Sequence, residues 1–166
     1  MKWITHQAGA VAAGLALHLP LAGLAAACAG AVLPDMLDQR MAGLALTRGG
    51  RQRLFHAVHR GTTHWFGWWC LLCAAGFSAS GLSDLAREAA LGVGLGGLSH
   101  VLLDMLTPAG VPVLPFSRRR MLSLKLCSTG SAGELCFLAG IAALVWLFLR
   151  EDVLQLARRL GMGHLF

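Results

Sequence analysis

The feature that most narrows what this chain can fold into is the segregation of its charges. Five apolar runs are separated by two arginine-rich stretches, and only 13% of the residues are charged while 56% are hydrophobic. An average soluble domain carries about 25% charged residues. A chain this poor in charge cannot cover a water-facing surface, so it reads as an integral membrane protein. Its 21 glycines suit membrane helices, where small residues let backbones approach closely. The length allows one compact domain over residues 1–166.

The expected fold class is all-α, a membrane bundle with helices over Ala8–Leu19, Pro20–Leu33, Thr62–Ala79, Leu85–Leu106 and Gly133–Leu149. A break is expected at His18-Leu19-Pro20, because proline disfavours helix before it and is welcome at a helix start. The first two helices would each be only about 18–20 Å long against a bilayer core of about 30 Å. They are therefore read as a tilted or partly inserted hairpin. Trp65, Trp68 and Trp69 suit a membrane–water interface. Residues 34–60 and 107–132 are read as basic loops, and Arg150–Phe166 as a surface amphipathic helix carrying Leu154, Leu156 and Leu160. Lys2 before an apolar stretch raises a signal peptide, but Thr5, His6 and Gln7 interrupt its apolar region.

The net charge of +6 sits mostly in the two loops, which fits the positive-inside rule better than nucleic-acid binding. With alternating helices, Lys2, Arg40, Arg48, Arg51, Arg53, Arg60, Arg118, Arg119, Arg120 and Lys125 share one face. Arg87, Arg150, Arg158 and Arg159 lie on the other. The richer face is the cytoplasmic one. The five cysteines, Cys28, Cys70, Cys73, Cys127 and Cys136, show no regular spacing and read as small core residues.

The same alternation gathers the polar residues at that face. His6 starts the first helix, Asp35 follows the second, His59 and His64 precede the third, His100 and Asp104 end the fourth, and Glu134 starts the fifth. His100 and Asp104 stand at i, i+4, one turn apart on one helix face, where they can bridge an ion or simply hydrogen-bond. Ionisable groups at membrane depth are costly and mark functional sites. His59-Arg60-Gly61-Thr62-Thr63-His64 places two histidines and an arginine beside threonines that can cap a helix. Imidazole suits zinc and other transition metals, and Arg60 offers a bidentate fork to phosphate or carboxylate. Asp35 stands at a membrane exit, and Asp38 reads as a solvated acid or a neighbour of the site. Glu134 is equally explained by the helix dipole. His56 reads as a loop residue, and His18 and His164 lie away from the cluster.

Leu33-Pro34-Asp35, His59-Arg60-Gly61-x-Thr63-His64 and Leu98-Ser99-His100-x3-Asp104-x2-Thr107-Pro108-Ala109-Gly110-Val111 together resemble the YdjM-type family of bacterial inner-membrane proteins. That family is described as LexA-binding, inner-membrane-associated, metal-dependent hydrolases. Its first motif usually reads L-P-D-x-D, whereas here the second acid, Asp38, comes one residue later. His64 is also followed by Trp65 where the family commonly has serine. The order His6, Asp35, His64, His100-x3-Asp104 is similar to the ligand order of zinc-dependent phospholipases C and zinc nucleases.

The resemblance implies a hydrolase in which His6, Asp35, His64, His100 and Asp104 bind one or two divalent ions, zinc foremost. Such an ion would lower the pKa of a bound water to about 7. His59 is the candidate further ligand or proton carrier, Arg60 the anion stabiliser, and Asp38 or Glu134 the general base. The expected substrate is a phosphoester, with a phospholipid arriving laterally from the bilayer. Two rivals are a membrane scaffold or regulatory protein with a structural metal, and a transporter with a His/Asp proton relay. The transporter would spread its polar residues through the membrane depth, whereas these gather at one end.

Overall fold

The computed structural model describes residues 1–78 and 80–162, apart from the Arg118 side chain; His164 and Ala79 lie outside the described residues. The chain is mostly helical. Helix α1 (Trp3–Ala16) starts earlier than its apolar run suggested and stops at the expected break, where His18 takes a positive φ of 50° and Pro20 becomes the N-cap of α2 (Leu21–Gly30).

The basic stretch 34–60 is not a loop. It carries α3 (Leu33–Gly43) and α4 (Arg48–Val58). Pro34 lies in the first turn of α3 with Asp35 beside it, where a missing N–H costs nothing and an acid complements the helix dipole. Thr47 caps α4 by accepting from the Gly50 amide. Arginine is a good helix former, so low hydrophobicity there was no sign of irregular backbone.

The third run splits into a 3-10 turn (Thr62–His64) and α5 (Phe66–Ser78), followed by α6 (Asp84–Met105) with Ser83 as its N-cap. Residues 107–132, expected as loop, carry a short hairpin within an otherwise helical fold. Val111–Leu114 (β1) and Ser117–Leu122 (β2) pair antiparallel, Val111 opposite Leu122. Gly110 and Phe116 adopt positive φ values of 68° and 59°, which bend the chain off α6 and turn the hairpin. Helix α7 (Ala132–Phe148) and α8 (Arg150–Arg159) complete the fold. His18 pairs with Asp152 of α8 at 3.0 Å, apart from the polar cluster.

Helix α6 is the centre, packed against α1, α2 and α5. Its glycines make this possible. A Cβ on Gly96 would lie 2.0 Å from the Ala27 carbonyl oxygen, and one on Gly97 2.0 Å from the Trp69 ring. Such contacts leave no room for any side chain. Polar groups lie in the interior beside the apolar core, and large apolar side chains lie outside. Thr5, His6, Asp38, His64, His100, Asp104, Thr107 and Glu134 are buried, while Leu71, Phe77, Leu135, Leu144, Leu147 and Phe148 are exposed. Exposed apolar surface on this scale marks a surface that meets a membrane or another protein.

Among the described residues no single helix is both long and apolar enough to cross a membrane. Two bent pairs pass by length and composition, α2 with α3 at 43° and α7 with α8 at 88°. The helical content expected from the sequence is present, with the first apolar stretch broken into two short helices as expected.

Gly96→Ala is expected to lower the thermal midpoint of the detergent-purified protein by the equivalent of about 1–3 kcal/mol through overpacking. Gly140→Ala, where a Cβ meets nothing within 4 Å, should hold or raise it. Equal midpoints would remove the close-contact role from Gly96.

Candidate metal centre

Asp35 and Asp38 stand three residues apart on α3 and so share a face. Asp38 is fully buried. One of its oxygens accepts from the Thr63 hydroxyl at 2.6 Å, and the other accepts from His59 Nδ1 and the Arg60 amide, both at 3.1 Å. These bonds fold the His59–His64 segment back over α3. They also hold Arg60 at a φ of 57°, a conformation uncommon outside glycine.

The proton on each central histidine follows from its neighbours. His100 Nδ1 lies 2.6 Å from the Ala31 carbonyl, which only accepts, so Nδ1 carries the proton. His64 Nδ1 lies 3.1 Å from the Thr63 hydroxyl and 3.5 Å from Asp38. That hydroxyl spends its proton on Asp38, so His64 Nδ1 must also donate. In the neutral imidazoles both Nε2 atoms are then bare, and they face each other at 3.3 Å. Two lone pairs aimed together in a buried site repel unless a cation lies between them.

Carboxylates converge on the same point. Asp35 Oδ1 lies 3.4 Å from His64 Nε2 and 3.7 Å from His100 Nε2. Asp104 Oδ2 lies 3.7 Å and 3.8 Å from the same two nitrogens. Donors about 2.0–2.1 Å from a tetrahedral zinc ion stand about 3.3 Å apart, close to these separations. Asp35 Oδ1 and His6 Nδ1 are buried without a hydrogen-bond partner. The residues therefore fit a divalent ion. They form two abutting groups that could hold a metal, Asp35, Asp38, His59 and His64 in one, His6, His100 and Asp104 in the other.

His6 stacks on His100 with ring centroids 3.8 Å apart, its Nε2 3.6 Å from Asp104 Oδ1. His59 Nδ1 is 3.7 Å from Asp35 Oδ1. Arg60, expected to hold an anion, is already engaged: its guanidinium donates to Thr107 Oγ1 at 2.7 Å and pairs with Asp104 Oδ1 at 3.2 Å. The Met1 amino group takes the same Asp104 oxygen at 2.8 Å.

Glu134 does not join the cluster. Its carboxylate accepts from the Thr5 hydroxyl at 2.8 Å, the Gly130 amide at 2.5 Å and the Lys2 amide. Among the described residues no ion pair links it to the histidines. These bonds tie the start of α7 to the start of α1 and leave no oxygen turned towards the centre. Asp38, likewise read as a base, spends its lone pairs on orienting His59, Thr63 and His64.

The YdjM inner membrane protein family matches residues 1–161. The chain belongs to that family. Neither a curated protein nor a solved structure matches it. Membership agrees with the exposed apolar faces of α5 and α7 and makes this an inner membrane protein. The family match covers every residue of the two metal-capable groups.

Sequence reasoning missed the supports of the site. Thr63 was read as a helix cap, yet it bridges Asp38 and His64. Thr107 was seen only as part of a motif, yet its hydroxyl donates to the Asp104 carbonyl at 2.8 Å and accepts from Arg60. Its place three residues after Asp104, before a proline, was the available signal. The Ala31 carbonyl carried none.

Removing an outer hydrogen-bond partner of a ligating histidine typically weakens metal affinity 10–100-fold. Asp38→Asn should do so when zinc affinity is measured by competition with a chromophoric chelator. Glu134→Gln should leave that affinity unchanged while lowering the thermal midpoint. Reversal of the two effects would exchange the roles given to these acids.

Proposed function

We propose that this protein is a membrane-bound, metal-dependent hydrolase of a phosphoester, working at the cytoplasmic face of the bacterial inner membrane. One observation carries the metal: the Nε2 atoms of His64 and His100 meet at 3.3 Å with Asp35 and Asp104 beside them. Zinc suits a set of two imidazoles and two carboxylates. His6 and His59 flank the set as further ligands, and His59 as a proton carrier. Such an ion, when bound, supplies Lewis-acid polarisation and a more acidic water.

The protein's own residues supply positioning. Asp38 and the Ala31 carbonyl fix the two imidazole tautomers. Arg60 and Thr107 hold Asp104. Asp35 is the least buried acid of the cluster, its side chain 39% exposed, and so is the one open to a substrate. A cavity of about 180 Å³ lies beside Asp38, lined also by Met41, Val58, Gly61, Thr63 and Phe116. It has room for a phosphate-sized group. The phosphoester assignment is supported by the likeness of ligand order to zinc phospholipases C, and a lipid substrate by the membrane setting.

A second reading is a non-catalytic scaffold or regulatory protein in which a metal staples helix ends together. The near-complete burial of His6, His64, His100 and Asp104 favours it, since structural sites are closed and catalytic ones keep an open position. Purified protein should contain zinc by elemental analysis and cleave at least one member of a panel of lipid and soluble phosphoesters. The double variant His100→Ala, Asp104→Ala should lose both. Zinc unchanged in that variant removes the ligand assignment, and zinc with no turnover on any substrate favours the scaffold.

A further inference from the structure

The β1–β2 hairpin presents a surface that the metal centre does not use. Val113, Leu114 and Phe116 crowd its tip, with Phe116 81% exposed, and Leu122, Leu124 and Leu126 continue the apolar surface along the outgoing chain. Exposed cations are threaded through them: Arg119 and Arg120 in β2, and Lys125 just after it.

This surface is held in place. The amides of Leu124 and Leu126 donate to the Met105 and Leu106 carbonyls at 2.8 Å, fastening the chain to the C-terminal end of α6. Trp65 Nε1 donates to the Val113 carbonyl at 3.1 Å, and the Trp68 and Phe116 rings meet edge-on at 6.4 Å. The hairpin therefore stands at a set height relative to His100 and Asp104, which lie on that same helix.

Two requirements identify its partner. Large apolar side chains at a β-turn need cover from water, and cations among them need anions close by. A soluble anion would leave the leucines wet. The hydrocarbon core would strand the arginines. The headgroup layer of an anionic bilayer meets both needs within a few ångströms, and tryptophans favour the same depth.

We propose that the hairpin is an interfacial anchor that seats Leu114 and Phe116 among anionic phospholipid headgroups, with Arg119, Arg120 and Lys125 reading the lipid charge. Phe116 also walls the cavity beside Asp38, so the anchor brings that cavity to headgroup level. The anchor does not depend on whether the site cuts a phosphoester.

The test uses the full chain in bilayer nanodiscs of mixed phosphatidylglycerol and phosphatidylcholine, with Phe116→Trp as a reporter read against the parent protein. Bromine is placed on the upper acyl carbons of one lipid or the other at fixed composition. The added emission should be quenched more by brominated phosphatidylglycerol than by brominated phosphatidylcholine. Each surface cation is worth about fivefold in affinity for an anionic membrane. The quenching ratio should therefore fall towards one when Arg119→Gln, Arg120→Gln and Lys125→Gln are added, and also at high salt. A ratio unchanged by those substitutions overturns the charge reading. Quenching by aqueous iodide rather than by either lipid overturns the anchor and points to a protein partner. The same measurement on the His100→Ala, Asp104→Ala background should give the same ratio, which separates the anchor from the metal centre.

Discussion

Carboxylates among apolar helices stand only if something answers their charge, because an uncompensated buried ion costs several kcal/mol. Two of them organise this protein. Asp38 is answered by His59, the Arg60 amide and Thr63, and those three bonds wrap the His59–His64 segment around α3. Asp104 is answered by Arg60 and the Met1 amino group. Arg60 thus belongs to both arrangements, its amide on Asp38 and its guanidinium on Asp104. The left-handed backbone at Arg60 is what allows the residue to turn both ways.

The histidines are placed by a different constraint, the close approach of α2 and α6. Gly96 lies one turn before His100, and Ala27 one turn before Ala31. Because Gly96 has no side chain to hold the helices apart, the Ala31 carbonyl comes within 2.6 Å of His100 Nδ1. That bond turns the Nε2 lone pair towards His64. A packing feature usual in membrane helices therefore also sets a tautomer at the candidate metal centre. The same contact serves fold and site, so a methyl group at Gly96 should disturb both.

Much of the candidate site was legible in residue type. His6, Asp35, His64, His100 and Asp104 stood out because ionisable groups are rare in so apolar a chain, and the structure brings all five together. The i, i+4 spacing placed His100 and Asp104 on one helix face without any tertiary information. Element type was less legible where apolar content was low. The arginines that read as loop are compatible with helix, so α3 and α4 escaped notice. The β1–β2 hairpin carries little sequence signal because its strands are short and β2 is rich in arginine rather than alternating apolar residues.

Composition and local spacing carry what depends on each residue's own chemistry: a charge-poor chain suited to lipid, the break before Pro20, and a set of side chains able to hold a metal. The division of labour within that set depends on who stands opposite whom. Glu134 and Asp38 are both plausible bases when read in line, yet one fastens α7 to α1 and the other orients His64. Arg60 has a fork free for any anion until Thr107 and Asp104 occupy it. A carboxylate or guanidinium has the same reach wherever it lies in the chain. Folding assigns its partners, and those partners decide whether its lone pairs or protons remain for a ligand.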